Sequence, residues 1–157
     1  MAVQLIDSEE ILACRILAID DEEANVRLLA NILEREGYRD VHCLTESTRA
    51  LETYIALQPD LVLLDLMMPE VDGFQLLEAF SRHDAVDEFR PVLVLTADTT
   101  IQARRRALAL GAKDFVSKPF DVIEVGLRIA NLLETRLLYE RLRSRKALAS
   151  FVSPPCV

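Results

Sequence analysis

Residues 61–73, LVLLDLMMPEVDG, set a carboxylate at the end of the most apolar run in the chain. Val62, Leu63 and Leu64 lead up to Asp65, and Leu66, Met67 and Met68 follow it before Pro69, Asp72 and Gly73 turn the chain. A buried charge is costly unless it is paired or serves a ligand. Three further apolar runs end in chemistry-bearing residues: RILAI runs into Asp20-Asp21, PVLVL into Thr96, and AKDFV into Ser117-Lys118-Pro119. If these runs are neighbouring strands, three carboxylates, a hydroxyl and an ammonium meet on one edge. Crowded carboxylates repel one another and would raise the pKa of at least one member unless a cation joins them. An all-oxygen site of few carboxylates plus water suits Mg²⁺. Lys118 and Thr96 can then hold phosphoryl oxygens, and Asp65 can act as nucleophile through an acyl phosphate. A rigid apolar frame would hold its oxygen in line for attack.

The elements that must position these residues are legible in the hydropathy pattern. Five apolar runs, 15–20, 41–44, 61–65, 91–96 and 112–117, alternate with helical patterns, and three of them are nearly continuous in Val, Ile and Leu. Such runs indicate strands covered on both faces. Val26, Leu29 and Leu33, with Leu28 and Ile32 beside them, predict a first helix that Gly37 ends as a left-handed cap. A second helix is predicted over about 47–57, stopped by Pro59, and a third around Leu76, Leu77 and Phe80. Thr99 with Gln102 reads as the capping box of a fourth, which Gly111 ends. Alternation of this kind implies parallel strands with right-handed crossovers: an α/β fold with a five-stranded, doubly wound parallel sheet and ligands at the carboxyl ends of the strands.

Taken singly, each residue has a plain structural reading. Asp20-Asp21 would serve as a helix N-cap and dipole partner, Thr96 as a strand-end hydroxyl, Lys118 as a solvated loop lysine and Asp65 as part of a turn. Their joint placement at four strand ends is what points to phosphoryl chemistry.

Composition narrows the classes. The chain has 157 residues, is just over half apolar and carries a net charge of −8, which argues against direct nucleic-acid binding. No apolar run approaches the ~20 residues of a membrane span, and the acidic start is unlike a signal peptide. Cys14, Cys43 and Cys156 form neither a disulfide framework nor a metal pattern. The expectation is a soluble cytoplasmic protein that contacts neither membrane nor nucleic acid.

Over residues 14–133 the chain resembles the CheY-like receiver domain of bacterial two-component response regulators. The matching segments are AIDDEEANVRLL, LVLLDLMMPEVDGF, LTAD and VSKPF. The resemblance implies a flavodoxin-like fold in which Asp65 is phosphorylated by a sensor histidine kinase or a phosphotransfer protein. It implies Mg²⁺, with Mn²⁺ able to substitute, bound directly by Asp21, largely through water by Asp20, and by Asp65 and the backbone carbonyl of Met67. Thr96 and Lys118 would hold the phosphoryl group, and Thr96 and Phe115 would form the switch. Movement of Thr96 toward the phosphoryl group would let Phe115 turn inward and alter the surface made by the fourth helix, fifth strand and fifth helix. Asp98 is placed to help position an attacking water. Such a domain is regulatory and has no turnover chemistry on a separate substrate.

The ends extend past that resemblance. Residues 1–13 form an arm in which SEEILA predicts a helical turn. From Asp121 a helical pattern runs to Pro154, so the last helix is expected to project beyond Leu133 as a helical extension and linker over 134–157. Leu133 with Leu137, and Leu138 with Leu142, offer a coiled-coil seam or a face that folds back on the body. The chain contains no output domain; one is expected to be covalently linked in the full-length protein, with homodimerisation through the switch surface or this helix. Arg104, Arg105 and Arg106 read as a solvated basic patch. Two other readings compete. One is a Mg²⁺-dependent phosphatase or phosphotransferase with an aspartyl nucleophile, but such enzymes of the haloacid dehalogenase type place an Asp where Met67 stands. The other is a nucleotide- or flavin-binding domain, which the lack of a Gly-rich loop disfavours.

Overall fold

The computed structural model describes residues 6–152, with side-chain surroundings through residue 145. The short helix α1 (Ser8–Leu12) leads into β1 (Arg15–Ile19), α2 (Glu23–Glu36) and β2 (Asp40–Leu44). A 3₁₀ turn at Ser47–Arg49 opens α3 (Ala50–Leu57), followed by β3 (Leu61–Leu64), α4 (Gly73–His83), β4 (Val92–Thr96), α5 (Ile101–Ala109), β5 (Asp114–Ser117) and α6 (Val122–Val152). All five strands are parallel, in the order β2-β1-β3-β4-β5. The expected doubly wound sheet with a long C-terminal helix is therefore present. Cys156 and the last five residues lie outside the described residues, as do residues 1–5 of the arm. Among the described residues no helix is long and apolar enough to cross a membrane.

The two sheet faces explain why the strands are apolar throughout. In β1, Leu17 and Ile19 face a core with Tyr54 of α3, Leu76, Leu77 and Phe80 of α4, and Ala107 of α5. Ile16 and Ala18 face the opposite core with Val26, Leu29 and Leu33 of α2 and Val125, Ile129 and Leu133 of α6. Period-2 alternation places successive side chains on opposite faces, so both sets must be apolar. Gly37 ends α2 at φ 98°, the left-handed cap that its lack of a Cβ allows. Gln58 takes the left-handed position at the end of α3, directly before Pro59.

Two local expectations need correction. The second helix starts as a 3₁₀ turn rather than as regular α-helix. The cap of α5 is Thr100, not Thr99: Thr100 Oγ1 accepts from the Ala103 amide at 3.2 Å. Asp98 decides this, because its Oδ1 accepts from the Thr100 amide at 3.0 Å and from the Thr100 hydroxyl at 2.8 Å. The third helical position is then Ala103, which has no side-chain acceptor to close a box with.

Candidate functional site

Each strand delivers its terminal residue to the carboxyl edge of the sheet. Asp20 and Asp65 sit one step past the ends of β1 and β3, where the Asp65 amide donates to Ile19 O at 3.1 Å and the Asp20 amide to Leu44 O at 3.2 Å. Thr96 ends β4 and is fully buried, and the Lys118 amide donates to its carbonyl at 2.8 Å. One carboxylate oxygen from each of Asp20, Asp21 and Asp65 lies within 4.8 Å of the other two. Asp20 is 2% exposed and Asp65 8%, while Asp21 faces solvent.

Lys118 Nζ lies 2.6 Å from Asp20 Oδ2 and 3.6 Å from Asp65 Oδ2, so one ammonium serves two buried carboxylates. Three ionised carboxylates and one ammonium sum to a net charge of −2, which one divalent cation would neutralise. This donor set, oxygen-only and carboxylate-rich, fits Mg²⁺. Burial pushes the Asp65 carboxyl above the ordinary carboxylate range and Asp20 adds repulsion. The Lys118 charge, the Met67 amide at 3.3 Å and the Thr96 hydroxyl oppose that rise.

Of four supporting residues, Asn25 and Ser47 have no assigned role at the site in the sequence alone, and Asp72 and Gly73 read there only as a turn. Asn25, in the first turn of α2, donates to Asp20 Oδ2 at 3.1 Å, while the Glu22 amide donates to Oδ1 at 3.0 Å. The spacing from Asp20 to Asn25, across a helix start, is the clue that was available. Ser47 is buried, donates to Pro69 O at 2.8 Å and accepts from the Val71 amide at 3.4 Å, which fixes the loop after Asp65. Gly73 is required by packing: a Cβ there would sit 2.6 Å from both Asp65 O and Leu66 Cα. Asp72 caps α4 in a reciprocal box with Gln75.

The expected switch residues lie on adjacent strands, Thr96 opposite Ser117 and Phe115 opposite Val94, with their neighbours already engaged. Phe115 is 7% exposed and packs in the core with Val94 and Ala107, so its ring is inward in this structure. Arg104 stands over that ring at 5.8 Å and Arg106 over Phe74 at 4.1 Å, which gives two of the three exposed arginines aromatic partners. The Thr96 hydroxyl accepts from the Asp98 amide at 3.3 Å. Asp98 Oδ1 is occupied by Thr100, so the carboxylate first serves the helix cap. The Met67 side chain is 59% exposed at the rim.

Residues 16–130 match the family model described as the response regulator receiver domain. The chain belongs to that family. This receiver domain is 41% identical over 119 residues to the DNA-binding dual master transcriptional regulator RpaA of Synechocystis sp., covering 76% of this chain and 48% of that protein. It is 37% identical over 136 residues to the response regulator PleD of Caulobacter vibrioides, covering 87% of this chain and 30% of PleD. The chain thus spans between about a third and a half of the length of these relatives. Among solved structures, a putative response regulator from Chloroflexus aurantiacus superposes with a TM-score of 0.70 at 29% identity, covering 78% of this chain and 98% of that one. Membership makes the receiver a regulatory domain of two-component systems and displaces the phosphatase and nucleotide-binding readings.

Proposed function

We propose that this receiver accepts a phosphoryl group on Asp65 from a sensor histidine kinase or phosphotransfer protein and relays the change to an output domain or partner. The observation that carries the reading is the cluster of Asp20, Asp21 and Asp65 oxygens within 4.8 Å, with Lys118 paired to two of them. Asp20, Asp21, Asp65 and the Met67 carbonyl would hold Mg²⁺, or Mn²⁺ in its place. When bound, the ion supplies charge neutralisation at the phosphoryl oxygens.

The residues of the chain do the rest. An Asp65 oxygen attacks phosphorus, a P–O bond forms, and the P–N bond to the donor histidine breaks with its electron pair left on the imidazole. β3 pairs with β1 on one side and β4 on the other, and this pairing sets the spacing of Asp20, Asp65 and Thr96. Lys118 pairs with a phosphoryl oxygen and Thr96 donates to another. Movement of Thr96 would break its bond to the Asp98 amide, which sits two residues before the cap of α5. The relay then reaches the α5–β5–α6 surface, where Arg104 already rests on Phe115. That surface and α6 are the proposed dimer contacts, and the linked output domain is proposed to follow α6.

The test is intact mass after incubation with Mg²⁺ and a small acyl phosphate. The expected result is a gain of one phosphoryl group that is absent without Mg²⁺ and absent in Asp65→Asn. Retention of the gain in Asp65→Asn would move the acceptor elsewhere and overturn the assignment.

A further inference from the structure

Arg136 is the only cationic side chain among the described residues that is more than nine-tenths buried, at 6% exposed. It lies on α6 beyond Leu133, where the helix was expected to leave the body. Its Nε donates to Asp60 Oδ1 at 3.2 Å, and its Nη1 donates to Phe89 O at 2.9 Å and Glu140 Oε1 at 2.8 Å. The other Asp60 oxygen accepts from the Arg15 amide at 2.8 Å. Asp60 immediately precedes β3, Phe89 comes shortly before β4, and Arg15 opens β1. One guanidinium therefore ties α6 to the starts of the three strands whose far ends carry Asp65, Thr96 and Asp20.

Flanking contacts repeat the attachment. Arg141 pairs with Glu10 of α1, and Arg143 Nε meets Asp87 Oδ2 at 3.1 Å in the α4–β4 connection. The Tyr139 ring packs on Phe89 with centroids 5.7 Å apart. Ile11 and Leu12 of α1 and Leu137 of α6 all pack against the core that α2 and α6 share.

We propose that α6 as far as Arg143 is a permanently braced part of the receiver body, with Arg136 as its positioning residue and α1 as its outer wedge. A linked output domain then gains freedom only beyond Arg143, and phosphorylation does not release the helix. Magnitudes decide between a fixed and a releasable brace. Freeing Arg136 would break its bonds to the half-buried Asp60 carboxylate and to the Phe89 carbonyl, and two such charge-assisted bonds shift an equilibrium by roughly 150-fold or more. Coupling between distant sites is typically about 5- to 150-fold. The phosphorylation half of this inference rests on the function proposed above; the brace itself does not.

Hydrogen exchange on the full chain, read by mass spectrometry with and without Mg²⁺ and acyl phosphate, tests both halves. In wild type, amides 134–143 are expected to be as protected as amides 125–133, before and after phosphorylation. Arg136→Met is expected to speed exchange at 134–145 by about 100-fold more than in β1 and β3. Should that variant not fold, Arg141→Gln/Arg143→Gln removes only part-exposed pairs and is expected to give about a threefold rise confined to 138–145. Peptide-like exchange of 134–143 in wild type, loss of its protection on phosphorylation, or variants that leave it unchanged would each overturn the brace. Intact mass of the same samples counts phosphoryl groups. A missing phosphoryl group would therefore count against the receiver chemistry, while the comparison of wild type with the variants still decides the brace.

Discussion

At the carboxyl edge of the sheet three clustered carboxylates, Asp20, Asp21 and Asp65, have one ammonium beside them, paired with the first and the last, whereas at the amino edge Asp60, Asp40 and Glu88 each meet a guanidinium. There Asp60 pairs with Arg136, Asp40 accepts from Arg15 Nε at 2.9 Å, and Glu88 from Arg90 Nε at 2.8 Å. The Arg15 bond holds the Asp40 carboxyl below the usual range, against a smaller opposing effect of burial, and the neighbouring His42 adds to the lowering. Burial instead lifts Asp65. The contrast separates two uses of charge in one fold. A balanced network fixes strand ends and a helix, while an unbalanced one leaves net negative charge that a bound cation would complete.

The sharpest way to break this contrast is to remove one cation from each edge. Lys118→Met strands the buried Asp20 and Asp65 and is expected to lower unfolding free energy by about 3 kcal/mol in metal-free buffer, and Arg136→Met, which removes the charge-assisted bonds to Asp60 and the Phe89 carbonyl, by about as much. Only the first loss should shrink when Mg²⁺ is added, and paired urea titrations would show it. A smaller effect follows from mass action in wild type. Mg²⁺ at ten times its Kd should stabilise the fold by about 1.4 kcal/mol, and Asp21→Asn should abolish most of that gain in a thermal melt.

The smallest expected effect is on pH dependence. Folded Asp65 holds its proton more tightly than the unfolded chain does. The group therefore opposes folding at neutral pH, and the penalty is relieved as pH falls through its raised folded value. In metal-free buffer Asp65→Asn should exceed wild type in stability at pH 7, with a margin that closes on acidification. A margin that widened would contradict the burial argument.

Much of this was legible in the sequence because its signals are local. Period, punctuation and strand-end residues located the sheet and brought Asp20, Asp65, Thr96 and Lys118 to one edge. What stayed hidden depends on long separations or on choices between near-equals. Arg136 and Asp60 are 76 positions apart, and nothing in a basic, leucine-bearing helix marks one arginine as buried. Thr99 and Thr100 cap equally well as residue types, and only the Asp98 turn selects between them. Asn25 lay in plain view five residues after Asp20, yet an Asn in a first helical turn is ordinary until its acceptor is known.

In genetic terms, the crowding at Gly73 makes one methyl group enough to silence the domain. An alanine there would collide with backbone atoms of Asp65 and Leu66, so the chain segment bearing the proposed phosphoacceptor must shift. Such an allele would keep every acidic residue, the lysine and the hydroxyl, and would pass any inspection that counts only charged positions. A screen for signalling-dead variants should recover it beside substitutions of the aspartates themselves.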